Sequence, residues 1–327
     1  MKKNIEIKKA KFIYNPHSGE KRGKNPLYSR MTLEDVKNML KQYQIPVDYF
    51  PTRYAKHATV LARNSIKEGY DLVIAAGGDG TVGEVINGLV GSNVTVAVLP
   101  LGTVMNVARM LSIPLEMEKA MQLIKIRRVR KIDLGCITHL NGEKMKTPYY
   151  FIEQAGLGID AVMHYNFSGF FDRKEYHSVF RIIKALFSFY GHRAKVICDD
   201  SEIETHATMV TVSNGPLGGL ALELAPDAKL NDHKLTVTLF NMNMFGLTLH
   251  ILRLLLRKPG AKIKNIQTLQ AKKVRVIAEV PKMVHADARL YGATPEEFRV
   301  VPAAINVITG FPKPENSALL KRTYLDP

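Results

Sequence analysis

The residues whose types and spacing most directly suggest chemistry are Gly77-Gly78-Asp79-Gly80-Thr81. They follow an apolar run, Asp71 to Ala76, and open a stretch containing Glu84, Val85, Ile86 and Asn87. Glycines at such a turn let the backbone approach a ligand closely, and a helix N-terminus offers its free N–H groups to a phosphate. An aspartate in a phosphate loop repels bare phosphate, but it makes sense if a magnesium ion lies between the two. The plainer alternative is a tight strand-to-helix turn with Asp79 as a cap. A second loop, Asn15-Pro16-His17-Ser18-Gly19, also follows an apolar run, and a third, Pro100-Leu101-Gly102-Thr103, leads to Asn106. Together they suggest a nucleotide pocket. No G-x-x-x-x-G-K-[ST] occurs in the chain.

Such loops need elements that hold them side by side. In open α/β sheets, ligands bind at the carboxyl ends of parallel strands. Strands are expected at Lys11–Asn15, Val47–Phe50, Asp71–Ala76 and Val94–Leu99. Helices are expected between them. Thr32-Leu-Glu-Asp35 has capping-box spacing, followed by Leu33, Val36, Leu40 and Tyr43 at helical intervals, and Ala55–Glu68 reads as a second helix. Alternating strands and helices imply a parallel sheet covered on both faces. After Lys131 strand-like runs dominate: Tyr149–Gln154, Lys195–Asp199, Thr205–Ser213, Leu235–Asn241, Lys273–Val280 and Phe298–Ile308. Helical stretches near 172–190 and 243–257 interrupt them. The expectation is an α/β domain over 1–135, a β-sandwich domain over 136–308, and a tail, 309–327, returning to the first domain.

The 327 residues suffice for two cores without disulfides or a structural metal. The two cysteines, Cys136 and Cys198, form neither a disulfide framework nor a Cys-x-x-Cys pair, so they are expected as thiols in a reduced compartment. The charged N-terminus lacks the apolar centre of a signal peptide, and the longest apolar stretch, Met242–Leu256, contains His250 and Arg253 and is too short to span a bilayer. A soluble cytoplasmic protein is expected. The net charge of +16 favours acidic partners: nucleic acid, anionic lipid or phosphorylated substrates. Nucleic acid is set aside because no zinc finger, RRM signature or long Lys/Arg block is present.

The ordered set of motifs identifies a family. It comprises Asn15-Pro-His-Ser-Gly19, Thr52 with His57-Ala58, Gly77 to Thr81 with Glu84 and Asn87-Gly88, and Pro100-Leu-Gly-Thr103 with Asn106. Asp133-Leu-Gly135, Gly156-Leu-Gly158-Ile-Asp160-Ala161, Ser213-Asn214-Gly215, Gly218-Gly219, Pro226 to Leu235 and Asp287 follow in order. From about Lys11 to Ile308 the chain resembles the diacylglycerol kinase catalytic-domain family of bacterial lipid kinases, related to sphingosine and ceramide kinases. The resemblance implies an NAD kinase/diacylglycerol kinase-like α/β domain with a parallel sheet, plus a C-terminal β-sandwich domain. It implies transfer of the γ-phosphoryl group of ATP to a lipid hydroxyl, with magnesium. By matching position, Asn15, Pro16, His17, Ser18, Gly19, Thr52, Gly78, Asp79, Gly80, Thr81, Glu84 and Thr103 are implied to contact ATP. Asp79 and Asp133 are implied in the magnesium network and Asp287 as general base. Lys229, Asp232 and Lys234 match positions holding a second, structural magnesium ion, the lysines through backbone carbonyls only.

The chain departs from the family pattern in three places. Val107 follows Asn106 where many members have Asp. Asp287-Ala288-Arg289 replaces the usual Asp-Gly-acid, so one carboxylate is lost and a cation gained. His233 replaces a common Gly in the structural-metal loop. A diacylglycerol kinase is the reading; a sphingoid-base kinase, a weak or inactive nucleotide- and lipid-binding regulator, and an NAD kinase are its rivals. The partner expected is a lipid at a membrane surface, met by a peripheral protein at the inner face, with a homodimer as the assembly to test. Two segments mix apolar and basic residues, Tyr165–Tyr190 and Phe245–Ile266. Each is open to two readings, a buried helix or a membrane-facing one.

Overall fold

The structure, a computed structural model, describes residues 9–18, 33–139, 148–158, 191–219, 221–256, 265–287 and 289–311. Gly19, Ala288, the aromatic segment 165–190 and the tail beyond 311 lie outside the described residues. The chain forms two units, one running to Leu134 and resuming at Pro302, the other from Gly135 to Val301.

The first unit is built on parallel strands. These are β1 (Ala10–Tyr14), β2 (Val47–Pro51), β3 (Leu72–Gly77) and β4 (Thr95–Pro100), in the order β2-β1-β3-β4. β3 and β4 are buried at every residue, as strands covered on both faces must be. Among the described residues five helices accompany them: α1 (Leu33–Gln42), α2 (His57–Lys67), α3 (Asp79–Leu89), α4 (Asn106–Met110) and α5 (Met117–Ile126). The expected apolar stripe of α1 is present, with Val36 and Leu40 buried, while Thr32 lies outside the described residues. The sequence from Lys119 to Lys131 is rich in Lys and Arg. Its first part belongs to α5, and its last part turns into the long strand β5 (Val129–His139). The chain returns at the end of β18 (Glu296–Ile308), where Asn306 and Val307 pair in parallel with Thr95 and Val96 of β4.

The second unit is a β-sandwich. One sheet is antiparallel, in the order β14 (Ile266–Ala271), β13 (Leu235–Phe240), β10 (Met209–Ser213), β7 (Gln154–Gly158), β16 (Met283–Ala286), β17 (Arg289–Ala293). Facing it are β15 (Lys273–Ala278), β8 (His192–Cys198) and β9 (Ser201–Ala207), with β6 (Tyr149–Phe151) paired to β5. The small pair β11 (Leu217–Gly218) and β12 (Leu222–Glu223) stands apart. The two sheets close on one apolar core containing Phe151, Leu157, Val196, Val212, Val237, Val276 and Phe298. Among the described residues, helix α6 (Met244–Leu255) covers the outside of β10 and β13 through Leu247, Met209 and Phe240.

Two expected strands are each broken in two. Thr205–Ser213 breaks at Thr208, whose N–H donates to the Phe240 carbonyl at 3.0 Å. Tyr149–Gln154 stops at Phe151, and β7 begins at Gln154 and runs beyond the expected range; between them, at Ile152-Glu153, the backbone N–H groups turn away from the sheet toward a side chain. That side chain is Asp287.

Candidate active site

The three glycine-bearing loops meet at the carboxyl ends of β1, β3 and β4. Asn15 N–H donates to the Ala76 carbonyl at 3.1 Å, and Thr52 N–H to the Tyr14 carbonyl at 2.8 Å. Those two bonds tie the first loop and Thr52 to the strand ends. Within the loop the Asn15 carboxamide oxygen accepts from His17 N–H at 3.0 Å, and the Asn15 carbonyl from Ser18 N–H at 3.0 Å. Pro16 and His17 are exposed and Ser18 half-buried. Leu101 N–H donates to the Gly77 carbonyl at 3.1 Å, joining the second and third loops.

The glycines do separate jobs. A Cβ on Gly102 would lie 2.5 Å from Gly78 Cα and 2.7 Å from Met105 Sδ, so these two loops pack backbone to backbone. A Cβ on Gly77 would lie 2.6 Å from Thr81 Oγ1. A Cβ on Gly80 would meet nothing within 4 Å. Gly80 and Thr103 are exposed, so the surface between these loops is open to a ligand.

Asp79 and Glu84 both lie on α3 and both cap other helices. Asp79 Oδ2 accepts from Asn106 N–H at 3.1 Å, and Oδ1 from Val107 N–H at 3.0 Å, at the start of α4. Burial raises its pKa, against the lowering effect of the Val107, Asn106 and Met105 N–H groups and of Arg109. Glu84 Oε1 accepts from Lys56 N–H at 2.9 Å and Oε2 from Ala58 N–H at 3.2 Å, at the start of α2. Lys56 is left-handed there, with φ 67°, which is why α2 begins at His57 and not at Ala55. Each carboxylate satisfies N–H groups that a helix start leaves orphaned. Asp79 thus does not cap its own helix, whose N-cap is Gly78 without a side-chain bond, but the start of α4. Val107 still contributes at the position where many family members carry Asp, through its N–H.

Asp133 is buried in the first unit. Its Oδ1 accepts from Ala303 N–H at 2.7 Å, and Ala303 is left-handed with φ 47°. It fastens the returning end of β18 to β5.

In the second unit Asp287 sits in a left-handed turn between β16 and β17, with φ 49°. Its Oδ2 accepts from Ile152 N–H at 3.2 Å and its Oδ1 from Glu153 N–H at 2.9 Å, while its own N–H donates to the Gln154 carbonyl at 2.7 Å. Burial pushes its carboxyl up to about 7, against the lowering effect of the Glu153, Ile152 and Gln154 N–H groups and of His285. His285 is buried, and its Nδ1 lies 3.1 Å from the Asp287 carbonyl oxygen. A carbonyl only accepts, so Nδ1 carries the proton. The Glu153 carbonyl accepts from Asn214 and Gly215 N–H at 3.0 and 2.9 Å. A Cβ on Gly218 would lie 2.5 Å from the Gln154 amide group, so glycine there makes room for it. Glu153, Gln154 and His285 were missed in the sequence. Their signal is a polar pair, Glu153-Gln154, in an otherwise apolar strand, and a histidine two residues before the aspartate.

In the loop around Asp232, Oδ1 accepts from Lys234 N–H at 3.1 Å, and Lys234 Nζ donates to Gln270 Oε1 at 3.3 Å. His233 is left-handed with φ 61°, the conformation that favours glycine. Among the described residues no group of three or more His, Cys, Asp and Glu side chains could hold a metal ion. Magnesium would thus depend on oxygens from a nucleotide in the first unit, with Asp79 and Asp133 as the contributing carboxylates. At Asp232 it would depend on the Lys229 and Lys234 carbonyls. This donor chemistry fits magnesium, which keeps few protein ligands and accepts carbonyl and phosphate oxygens.

Comparison with known proteins bears on both units. Residues 9–137 match the family model of the diacylglycerol kinase catalytic domain, and residues 154–309 that of the YegS C-terminal NAD kinase beta sandwich-like domain. A diacylglycerol kinase of Staphylococcus saprophyticus is 27% identical over 316 residues, covering 92% of this chain and 95% of its own. One from Bacillus subtilis is 28% identical over 309 residues, covering 92% and 96%. A crystal structure of a Bacillus anthracis diacylglycerol kinase superposes with a TM-score of 0.70 at 20% identity, covering 93% of this chain and 98% of that one. A yeast NADH kinase shares the fold more distantly, with a TM-score of 0.53 at 11% identity, covering 95% and 85%.

Proposed function

Because the chain belongs to the diacylglycerol kinase catalytic-domain family of lipid kinases, we propose that it transfers the γ-phosphoryl group of ATP to a lipid hydroxyl, diacylglycerol being the first acceptor to test. The observation that carries the reading is Asp287. A lipid hydroxyl is a poor nucleophile, and a carboxylate with a pKa of about 7 can take its proton near neutral pH as the new O–P bond forms. Three backbone N–H groups and a left-handed turn fix the direction in which that carboxylate faces. In the first unit Asn15, Pro16, His17, Ser18, Gly19, Thr52, Gly78, Gly80, Thr81 and Thr103 are assigned to the nucleotide. Its phosphates lie over the open Gly80 backbone, and α3 presents its N-terminus. Glu84 acts one step removed, by holding α2 and thereby the Thr52 loop.

Magnesium, when bound, neutralises the charge of the phosphates and the leaving group. Asp79 and Asp133 are its protein carboxylates in this reading, and Asp232 with the Lys229 and Lys234 carbonyls is the second site. The protein works as a peripheral enzyme at the inner membrane face. No helix among the described residues is long and apolar enough to cross a membrane. The test is transfer of label from ATP to lipid by the purified protein, compared with Asp287→Asn. Phosphorylation of NAD in place of lipid would favour the chemistry of the more distant structural relative.

A further inference from the structure

Helix α6 has two apolar faces. Met244, Leu247, Ile251 and Leu254 belong to the face packed against Met209, Leu224 and Phe240. The side chain of Asn243 caps the helix by accepting from Gly246 N–H at 2.9 Å, so its start is fixed. On the other face, Phe245, Leu249, Leu252 and Leu256 are 78%, 38%, 49% and 59% exposed. Their spacing of four, three and four residues makes one continuous stripe along three turns. Isolated exposed leucines are ordinary, but an aligned apolar stripe marks an interaction surface.

We propose that this stripe is a docking surface for an anionic lipid bilayer, with α6 lying flat in the headgroup region. It rests on the lipid-kinase reading only for its purpose, since the acceptor lies in a membrane. Charge selects the occupant. From Asn241 to Gln270, the stretch that contains the helix, the sequence holds no Asp or Glu and five Lys or Arg: Arg253, Arg257, Lys258, Lys262 and Lys264. Such a segment suits an anionic surface, each basic residue near it adding to the attraction. The same charge, on a chain of net +16, opposes pairing with a second copy through this face. The amphipathic pattern, apolar stripe with basic neighbours and no acid, is that of helices that lie in the interface and do not span it.

The experiment is flotation of the full chain with phosphatidylglycerol vesicles and with phosphatidylcholine vesicles, without ATP. The comparison is with Phe245→Ser/Leu252→Ser, exposed sites where neither change leaves a cavity. Binding of the parent chain to phosphatidylglycerol vesicles, weaker binding to phosphatidylcholine, and a loss of about tenfold or more in the serine variant at unchanged melting temperature are expected. Equal binding by parent and variant would overturn the proposal, as would no binding by the parent. A dimer-to-monomer change in the variant with vesicle binding intact would assign the stripe to a second copy instead. A parallel assay on a water-soluble short-chain diacylglycerol separates the two readings. Transfer there with stripe-independent vesicle binding sinks the docking surface alone. Stripe-dependent binding with no transfer to any lipid sinks the kinase reading alone.

Discussion

Asp287 titrates where its proposed task needs it to. Its carboxyl is held up at about 7, so the basic form grows as pH rises through neutrality. The rate of phosphoryl transfer should therefore climb between about pH 6 and 8 and level off above. A pH profile flat across that range would exclude Asp287 as the base. The sign for folding is opposite: a pKa raised above the unfolded value near 4 contributes stability that is present at low pH and lost as pH rises through 7. The residue was legible in the sequence only as a position shared with a family. Its environment was not, because Ile152 and Glu153 lie more than 130 positions away. The glycines give a second prediction at this scale. Gly102→Ala must push the loops apart and should lower both melting temperature and ATP affinity, since its Cβ would meet the Gly78 backbone. Gly80→Ala meets nothing and should keep its melting temperature. A fall in ATP affinity in Gly80→Ala alone would then show that the nucleotide occupies that space; unchanged affinity would remove Gly80 from the site.

At the scale of elements, α3 organises the first unit by capping two neighbours, α4 through Asp79 and α2 through Glu84. Glu84→Ala should cost about 1–2 kcal/mol of stability, read as a lower melting temperature, and should raise KM for ATP more than it lowers kcat. An equal loss of kcat with KM unchanged would make Glu84 a contact of the transition state instead. The strands of this unit were legible because runs such as Leu72–Ala76 are apolar at every position, as a buried parallel strand requires. In the second unit several strands were legible, but their breaks and the continuation of the sheet into β7 were not. Tyr149–Gln154 looks continuous because the interruption is set by a distant carboxylate and not by a local Gly or Pro. Strands β14, β16 and β17 escaped notice, being short and poor in the regular alternation that marks an exposed face.

At the scale of the molecule, the first unit is closed by a segment some 170 residues downstream, and Asp133 is its fastening through the Ala303 N–H. Asp133→Ala leaves that N–H without its carboxylate and should destabilise the unit by about 1–3 kcal/mol in thermal melts. Asp133→Asn keeps an acceptor for the same N–H and should restore the melting temperature. If Asp133 also serves magnesium, the Asn variant will fold and still lose activity, with a weakened magnesium dependence. If it is a fastening only, the Asn variant will be active.

The account stands on phosphoryl transfer to a lipid. Purified protein incubated with labelled ATP, magnesium and a total membrane-lipid extract in mixed micelles, beside Asp287→Asn, measures that directly. The expected result is a labelled phospholipid whose formation falls by about 10²–10⁴-fold in the variant, with ATP binding retained. No labelled lipid from a protein that binds ATP would contradict the account and leave a regulator with a kinase fold, in which Arg289 would be the first residue to revert.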